Sequence, residues 1–193
     1  KEGYNMNKYK LYMIFSMVVL AITIIVSTTY TWLSWSGSVN ITGTGECFDV
    51  NYVKGGDIGS DSSPAKFSLA SSYTGGLSTS VTVSLKSTCT ITNGTGTLYL
   101  NTDTSVTSSA LLNGKVLKYQ VLDGSTPVEG GSGIVSSAEQ TPIYSNIPIT
   151  TTEKTIKVYI WIDGSLVTND NVNDILSSVY KGNITMSIES GDK

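Results

Sequence analysis

The sequence predicts an all-β fold, a β-sandwich or jelly roll of about eight or nine short strands, preceded by an N-terminal hydrophobic helix. Three observations lead there. Short segments of alternating apolar and polar residues recur along most of the 193-residue chain, separated by Gly, Asn, Asp and Pro and with little 3.6-residue periodicity. Charged residues make up only 14% of the chain, well below the roughly 25% of an ordinary soluble protein; Ser, Thr, Gly and β-branched residues fill the difference. One apolar run, LYMIFSMVVLAITIIVSTTYTWLSW at residues 11–35, stands apart from everything after it. The expected organisation is a leader over residues 1–35 and a single β-sandwich domain over residues 36–193, long enough for a real core.

The leader comes first. Met6 is the expected start of translation, which makes MNKYK a short basic region ahead of an apolar stretch interrupted by Ser16 and Thr23. Lys8 and Lys10 before the run, with no lysine soon after it, orient the N-terminus to the cytoplasm and the rest of the chain outward. Two fates stay open. Ser27, Thr28 and Thr29 have the texture of a signal-peptidase region, whereas residues 11–33 reach the length of a spanning helix, with Trp32 and Trp35 suited to the membrane interface. Either way the product is expected to be secreted or held at the cell surface.

After Gly37 the strands follow in order. VNIT (39–42) is a short β-forming segment, and CFDVNYV (47–53) alternates Phe48, Val50 and Tyr52 against polar neighbours. KGGDIGSDSSP (54–64) reads as a loop. KFSLA (66–70) is short enough for a sheet edge. STSVTVSLKS (78–87) sets Val81, Val83 and Leu85 on one face. NGTG (93–96) reads as a turn leading into TLYLN (97–101). VLKYQVL (116–122) is a strand ended by DGSTP, EGGSGIV (129–135) reads as flexible, and IYSNIPI (143–149) as a weak strand among prolines. TIKVYIWID (155–163) carries the strongest signal, with Ile156, Val158, Ile160 and Ile162 alternating against Lys157, Tyr159, Trp161 and Asp163. In NDNVNDILSSVY, Asp170 is placed to cap a turn or two of helix. NITMSIES (183–190) closes the chain with Ile184, Met186 and Ile188 on one side. No internal repeat of fixed period is present, which disfavours a solenoid or propeller.

Composition also excludes chemistry. All twelve basic residues are lysines and the chain has no histidine. Histidine-based acid–base catalysis, nearly all zinc sites and arginine forks on phosphate are therefore out of reach. A net charge of −3 and a pI near 4.8 argue against a nucleic-acid partner, which requires a basic footprint. No enzyme is expected. Cys47 and Cys89, an even pair in an exported chain, are expected to form one disulfide, two buried thiols being the alternative.

Other constellations carry weaker signals. Asp163, Asp170 and Asp174, interleaved with Asn169, Asn171 and Asn173, offer oxygen ligands for Ca²⁺ in the 163–174 loop, but the spacing is not that of an EF-hand, and loop solvation and capping explain it as well. No other cofactor is expected. Glu46 with Asp49, or Asp57 with Asp61, would be carboxylate pairs for an exported hydrolase, with nothing to fix their separation. Tyr52, Tyr73, Tyr99, Tyr119, Tyr144, Tyr159 and Tyr180 with Trp161 could build an aromatic platform for sugars or proteins, or simply occupy half-exposed sheet faces. Asn40, Asn93 and Asn183 sit in N-x-[ST] sequons.

The order of motifs resembles a known family. A leader ending in TTYTWLSW, a polar segment, CFDVNYVKGGDI, and then VYIWIDGSLVTNDN before a last strand NITMSIES are similar to the TasA/camelysin group of exported biofilm-matrix proteins, from residue 27 to the end. The resemblance implies a jelly-roll fold and assembly into fibres by donor-strand addition, with self-association or other matrix proteins as partners. Some of that group carry a metalloprotease label; with no HExxH and no histidine, that activity does not carry over. The candidate donor is the uncharged segment of residues 30–44, YTWLSWSGSVNITGT, with Val39, Asn40, Ile41 and Thr42 at its strand-forming centre. The alternative is that VNIT is an ordinary first strand of its own domain. The expected function is thus a non-enzymatic cell-surface or matrix structural protein. Its rival is a membrane-tethered adhesin or a carbohydrate- or protein-binding sandwich module.

Overall fold

A computed structural model describes residues 31–35, 47–53 and 65–191, all within one compact unit, Thr31–Lys193. The predicted hydrophobic helix, the VNIT segment and the 54–64 loop lie outside the described residues. The fold is all-β. Its strands are β1 (Thr31–Trp35), β2 (Phe48–Val53), β3 (Ala65–Phe67), β4 (Leu69–Ala70), β5 (Leu77–Leu85), β6 (Gly94–Thr102), β7 (Leu117–Asp123), β8 (Thr126–Ile134), β9 (Gln140–Ile149), β10 (Lys154–Asp163) and β11 (Val179–Ser190). Two short helices, α1 (Ser109–Asn113) and α2 (Val172–Leu176), and two 3₁₀ turns, at Tyr73–Gly75 and Gly164–Leu166, complete the described elements.

The strands form two sheets. One runs β3-β1-β11-β6-β9, the other β2-β5-β10-β7-β8 with β4 added beside β10. Neighbours are antiparallel except in two pairs, β1 with β11 and β4 with β10. Thr31–Trp35, the last residues assigned to the leader from sequence, thus form a strand between β3 and β11, with Leu33 opposite Tyr180 and Trp35 opposite Gly182.

Alternation explains the core. Because strand side chains point to opposite faces in turn, β10 buries Ile156, Val158, Ile160 and Ile162 while β5 buries Val81, Val83 and Leu85. From the other sheet come Leu98 and Leu100 of β6, Ile143, Ile147 and Ile149 of β9, and Ile184, Met186 and Ile188 of β11, all in the same cluster. Tyr180, fully buried at the start of β11, faces Thr102 through its hydroxyl at 3.4 Å.

Several expectations need correction. The 93–96 stretch is no turn, since β6 begins at Gly94. A side chain there would strike the Phe48 ring, with an added Cβ only 2.7 Å from it, so the glycine is what lets the aromatic ring pack against this strand. EGGSGIV is not a flexible connection but most of β8, and IYSNIPI lies within the ten-residue β9. Both are edge strands, where Pro127, Pro142 and Pro148 and the register shifts are tolerated. β11 starts four residues earlier than predicted, because the Lys181-Gly182-Asn183 break in alternation is absorbed by the Tyr180 ring packed over Gly182. The short helix near residue 170 exists, but Asn171 rather than Asp170 precedes its first turn, and the Asn171 side chain accepts from the Thr168 N–H at 2.7 Å. α1 was not predicted. Its anchor is the fully buried Leu111, and Gly114 ends it.

Candidate functional site

With the isoleucines of β10 turned inward, Tyr159, Trp161 and Asp163 must lie on the outer face of the six-stranded sheet. Cross-strand register sets Lys118 of β7 beside Trp161 and Gln120 beside Tyr159. One strand further, Ser132 of β8 stands opposite Gln120 and Ile134 opposite Lys118. On the other side, β5 begins at Leu77, and the 3₁₀ turn at Tyr73–Gly75 just before it closes over the sheet. Tyr73 meets Tyr159 edge to face, ring centroids 5.3 Å apart at 66°, a favoured geometry for aromatic pairs. Tyr73, Lys118, Gln120, Ser132, Ile134 and Trp161 border a depression of about 470 Å³, and Tyr159 stands beside it against Tyr73.

Its polar groups are held in place. Lys118 Nζ donates to one carboxylate oxygen of Asp163, and the other oxygen accepts from the Ser165 N–H at 3.0 Å and hydroxyl at 2.6 Å. The Lys118 hydrogen bond, followed by those of Ser165, lowers the Asp163 pKa to about 2. The Gln120 amide donates to the Val121 carbonyl at 2.9 Å. Tyr119, between Lys118 and Gln120, turns its ring into the core, and burial pushes its phenol up. Trp161 is 8% exposed, and its Nε1 is the one buried side-chain polar atom without a hydrogen-bond partner among the described residues. An unmet buried N–H costs about 1–3 kcal/mol, so this indole is a place where an acceptor would be welcome.

The predicted aromatic platform is thereby sorted. Tyr73 joins Trp161 at the depression, with Tyr159 beside it against Tyr73, while Tyr119 and Tyr180 belong to the core. Tyr144 lies elsewhere, donating to Asp123 at 3.2 Å, and burial together with that carboxylate raises its pKa. Lys118, Gln120 and Ser132 escaped the sequence reading. Their outward direction is implied by alternation, but which strands stand side by side is not.

The other predicted residues are dispersed. Cys47 and Cys89 form a disulfide, with Cα atoms 5.6 Å apart. Val39, Asn40, Ile41 and Thr42 lie outside the described residues, as do Glu46, Asp57 and Asp61. Asp49 is a surface residue 3.6 Å from Lys86. The calcium proposal for residues 163–174 loses Asp163, whose oxygens are taken by Lys118 and Ser165, and no cluster of three or more His, Cys, Asp or Glu side chains suited to a metal exists among the described residues. Of the sequons, Asn183 accepts from Asn101 at 2.6 Å and Asn93 is exposed, while Asn40 lies outside the described residues. A second depression, of about 360 Å³, is bordered by Asp103, Glu139 and Lys181. Its Asp103 carboxyl is held below the usual range, chiefly by the Ser105 hydroxyl. Among the described residues no helix is long and apolar enough to cross a membrane.

No protein-family model matches the chain, and no curated protein matches it. Among solved structures, one that is similar over 82% of this chain and 97% of its own is described as "AvmM Catalyzes Macrocyclization in Alchivemycin A Biosynthesis", at 7% identity and a TM-score of 0.34. What stands plainly is the class: an all-β, disulfide-linked protein, its cross-link compatible with an oxidising compartment.

Proposed function

We propose that this is an exported, non-enzymatic structural protein of the cell surface or extracellular matrix, a jelly roll of the TasA/camelysin kind that assembles by strand addition. The jelly-roll reading draws on the strand order. The series β1-β11-β6-β9 and β5-β10-β7-β8 uses eight strands, and most connections pass from one sheet to the other. The disulfide and the lysine-flanked apolar run at residues 11–35 favour a place outside the cytosol.

The observation that carries the assembly reading is β1. It lies inside the candidate donor segment of residues 30–44, is only five residues long, and pairs with β11 in parallel. Without it, β11 would present an open edge at Tyr180 and Gly182, the backbone groups of Val179 and Lys181 being taken by Ser108, Asp103 and Thr107. A segment that fills such a slot in its own chain can fill the same slot in a neighbour, and a head-to-tail exchange of this kind need not close.

Electron microscopy of the secreted protein, together with its intact mass, tests the proposal. Fibres are expected from the wild type and none from a chain lacking residues 30–44, whose β11 slot should instead bind the synthetic peptide YTWLSWSGSVNITGT. A wild-type protein that stays monomeric at high concentration, or a deletion that assembles unchanged, would refute it.

A further inference from the structure

We propose that the aromatic depression on the outer face of the six-stranded sheet is a binding site for an uncharged pyranose chain. Tyr73, held by Tyr159, would stack on a sugar ring, while Gln120, Ser132 and the Trp161 indole N–H bind its hydroxyls. The site lies on a different face from β1 and does not depend on the assembly reading.

The depression asks for a ligand with an apolar face and a polar edge. Its aromatic surfaces carry negative charge on their ring faces, which attracts the weakly positive C–H groups of a pyranose. Around them stand an amide and hydroxyls, Gln120, Ser72 and Ser132, groups that both donate and accept. Lys118 is the one charged residue on the border, and its ammonium is occupied by Asp163. The site therefore offers dipoles rather than net charge, which favours a neutral ligand. A volume of about 470 Å³ falls within the roughly 300–1,000 Å³ of small-molecule sites.

Two further features suit a preformed site. The edge-to-face contact restrains the Tyr73 ring before any ligand arrives, so little ordering entropy remains to be lost. The Trp161 N–H, just beneath the surface, lacks an acceptor in an otherwise satisfied neighbourhood. A sugar hydroxyl would supply one. A proline-rich peptide also favours aromatic grooves, but it brings carbonyl acceptors alone and would leave the acceptor side of Gln120 and the serines unused.

The test is calorimetric titration of the detergent-solubilised full chain with cellohexaose, laminarihexaose and chitohexaose, and with a proline decapeptide as the contrasting probe. Saturable binding of at least one oligosaccharide is expected. Tyr73→Ala should weaken it about tenfold, the upper end for an aromatic contact, and Tyr159→Ala less, through loss of the contact that restrains Tyr73, with melting temperatures close to wild type. Trp161→Phe, which keeps an aromatic ring but loses the N–H, should also weaken it. The proposal is overturned if no oligosaccharide binds, if the decapeptide alone binds, or if both tyrosine variants bind as the wild type does. Fibre formation is scored separately in the same preparations, so loss of one property does not mimic loss of the other.

Discussion

Removing the disulfide should produce the largest single loss of stability outside the core. Cys47 and Cys89 are 42 residues apart in sequence, and on the chain-entropy treatment closing a loop of that length restricts the unfolded chain by about 4 kcal/mol. The native positions of the two residues have other support. The Lys86 N–H donates to the Cys47 carbonyl at 2.9 Å, the Cys89 N–H donates to the Lys86 carbonyl at 3.1 Å, and Phe48 pairs with Leu85 in the adjoining ladder. A Cys47→Ser/Cys89→Ser chain should therefore keep its fold, and the loss should fall mainly on the freedom gained by the unfolded state. For a domain of this size, about 4 kcal/mol corresponds to a fall of roughly 8–16 °C in melting temperature. Urea unfolding followed by circular dichroism reads the same quantity, and the m-value should rise as the unfolded chain expands. A fall of under about 1 kcal/mol, or two free thiols titrated in protein recovered from an oxidising compartment, would refute the reasoning.

Three other outcomes are expected. Gly94→Ala should destabilise by about 1–3 kcal/mol, because its Cβ would lie 2.7 Å from the Phe48 ring; Phe48→Leu should relieve part of the clash, a coupling that a double-mutant cycle measures. Asp163 has a folded-state pKa lowered to about 2 from an ordinary 3.8. Its contribution is thus present above about pH 4 and is lost as pH falls through about 2; Asp163→Asn should flatten that limb of a melting-temperature profile. Leu98→Ala, at a fully buried position of β6, should cost about 2–5 kcal/mol by chemical denaturation, more than any exposed substitution on β8.

The strands that alternate cleanly were legible in the sequence. TIKVYIWID, STSVTVSLKS and NITMSIES declare their inward faces because every second residue is β-branched or aliphatic, and the structure buries those residues. The glycine-bearing strands were illegible for the opposite reason. Gly94, Gly131 and Gly133 carry no side chain to mark a period, and their places are fixed by what crosses them: Phe48 over Gly94, Val128 and Val121 beside Gly131, Tyr119 over Gly133. β1 was read as the tail of the leader because aromatic residues next to an apolar run also suit a membrane interface, and its pairing with β11 depends on residues more than a hundred positions away. The site was half legible. Tyr159 and Trp161 could be placed on one outward face, but the Lys118–Asp163 bond joins residues on two strands whose adjacency alternation does not encode. The cysteine pair needed only a count.

Prolines and glycines crowd one flank of the molecule. β8 and β9 form the margins of the two sheets on that flank, with Pro127, Pro142 and Pro148 interrupting their outer rows and Gly130 bent at φ 71°. Proline has no N–H to offer an incoming chain. Foreign backbone laid against this side would find gaps where donors should be, which discourages sideways clumping when such molecules are crowded together. β2 and β3, at the opposite margins, carry no proline. Among the described residues, the sheet borders are therefore chemically two-sided, with prolines on one flank and none on the other.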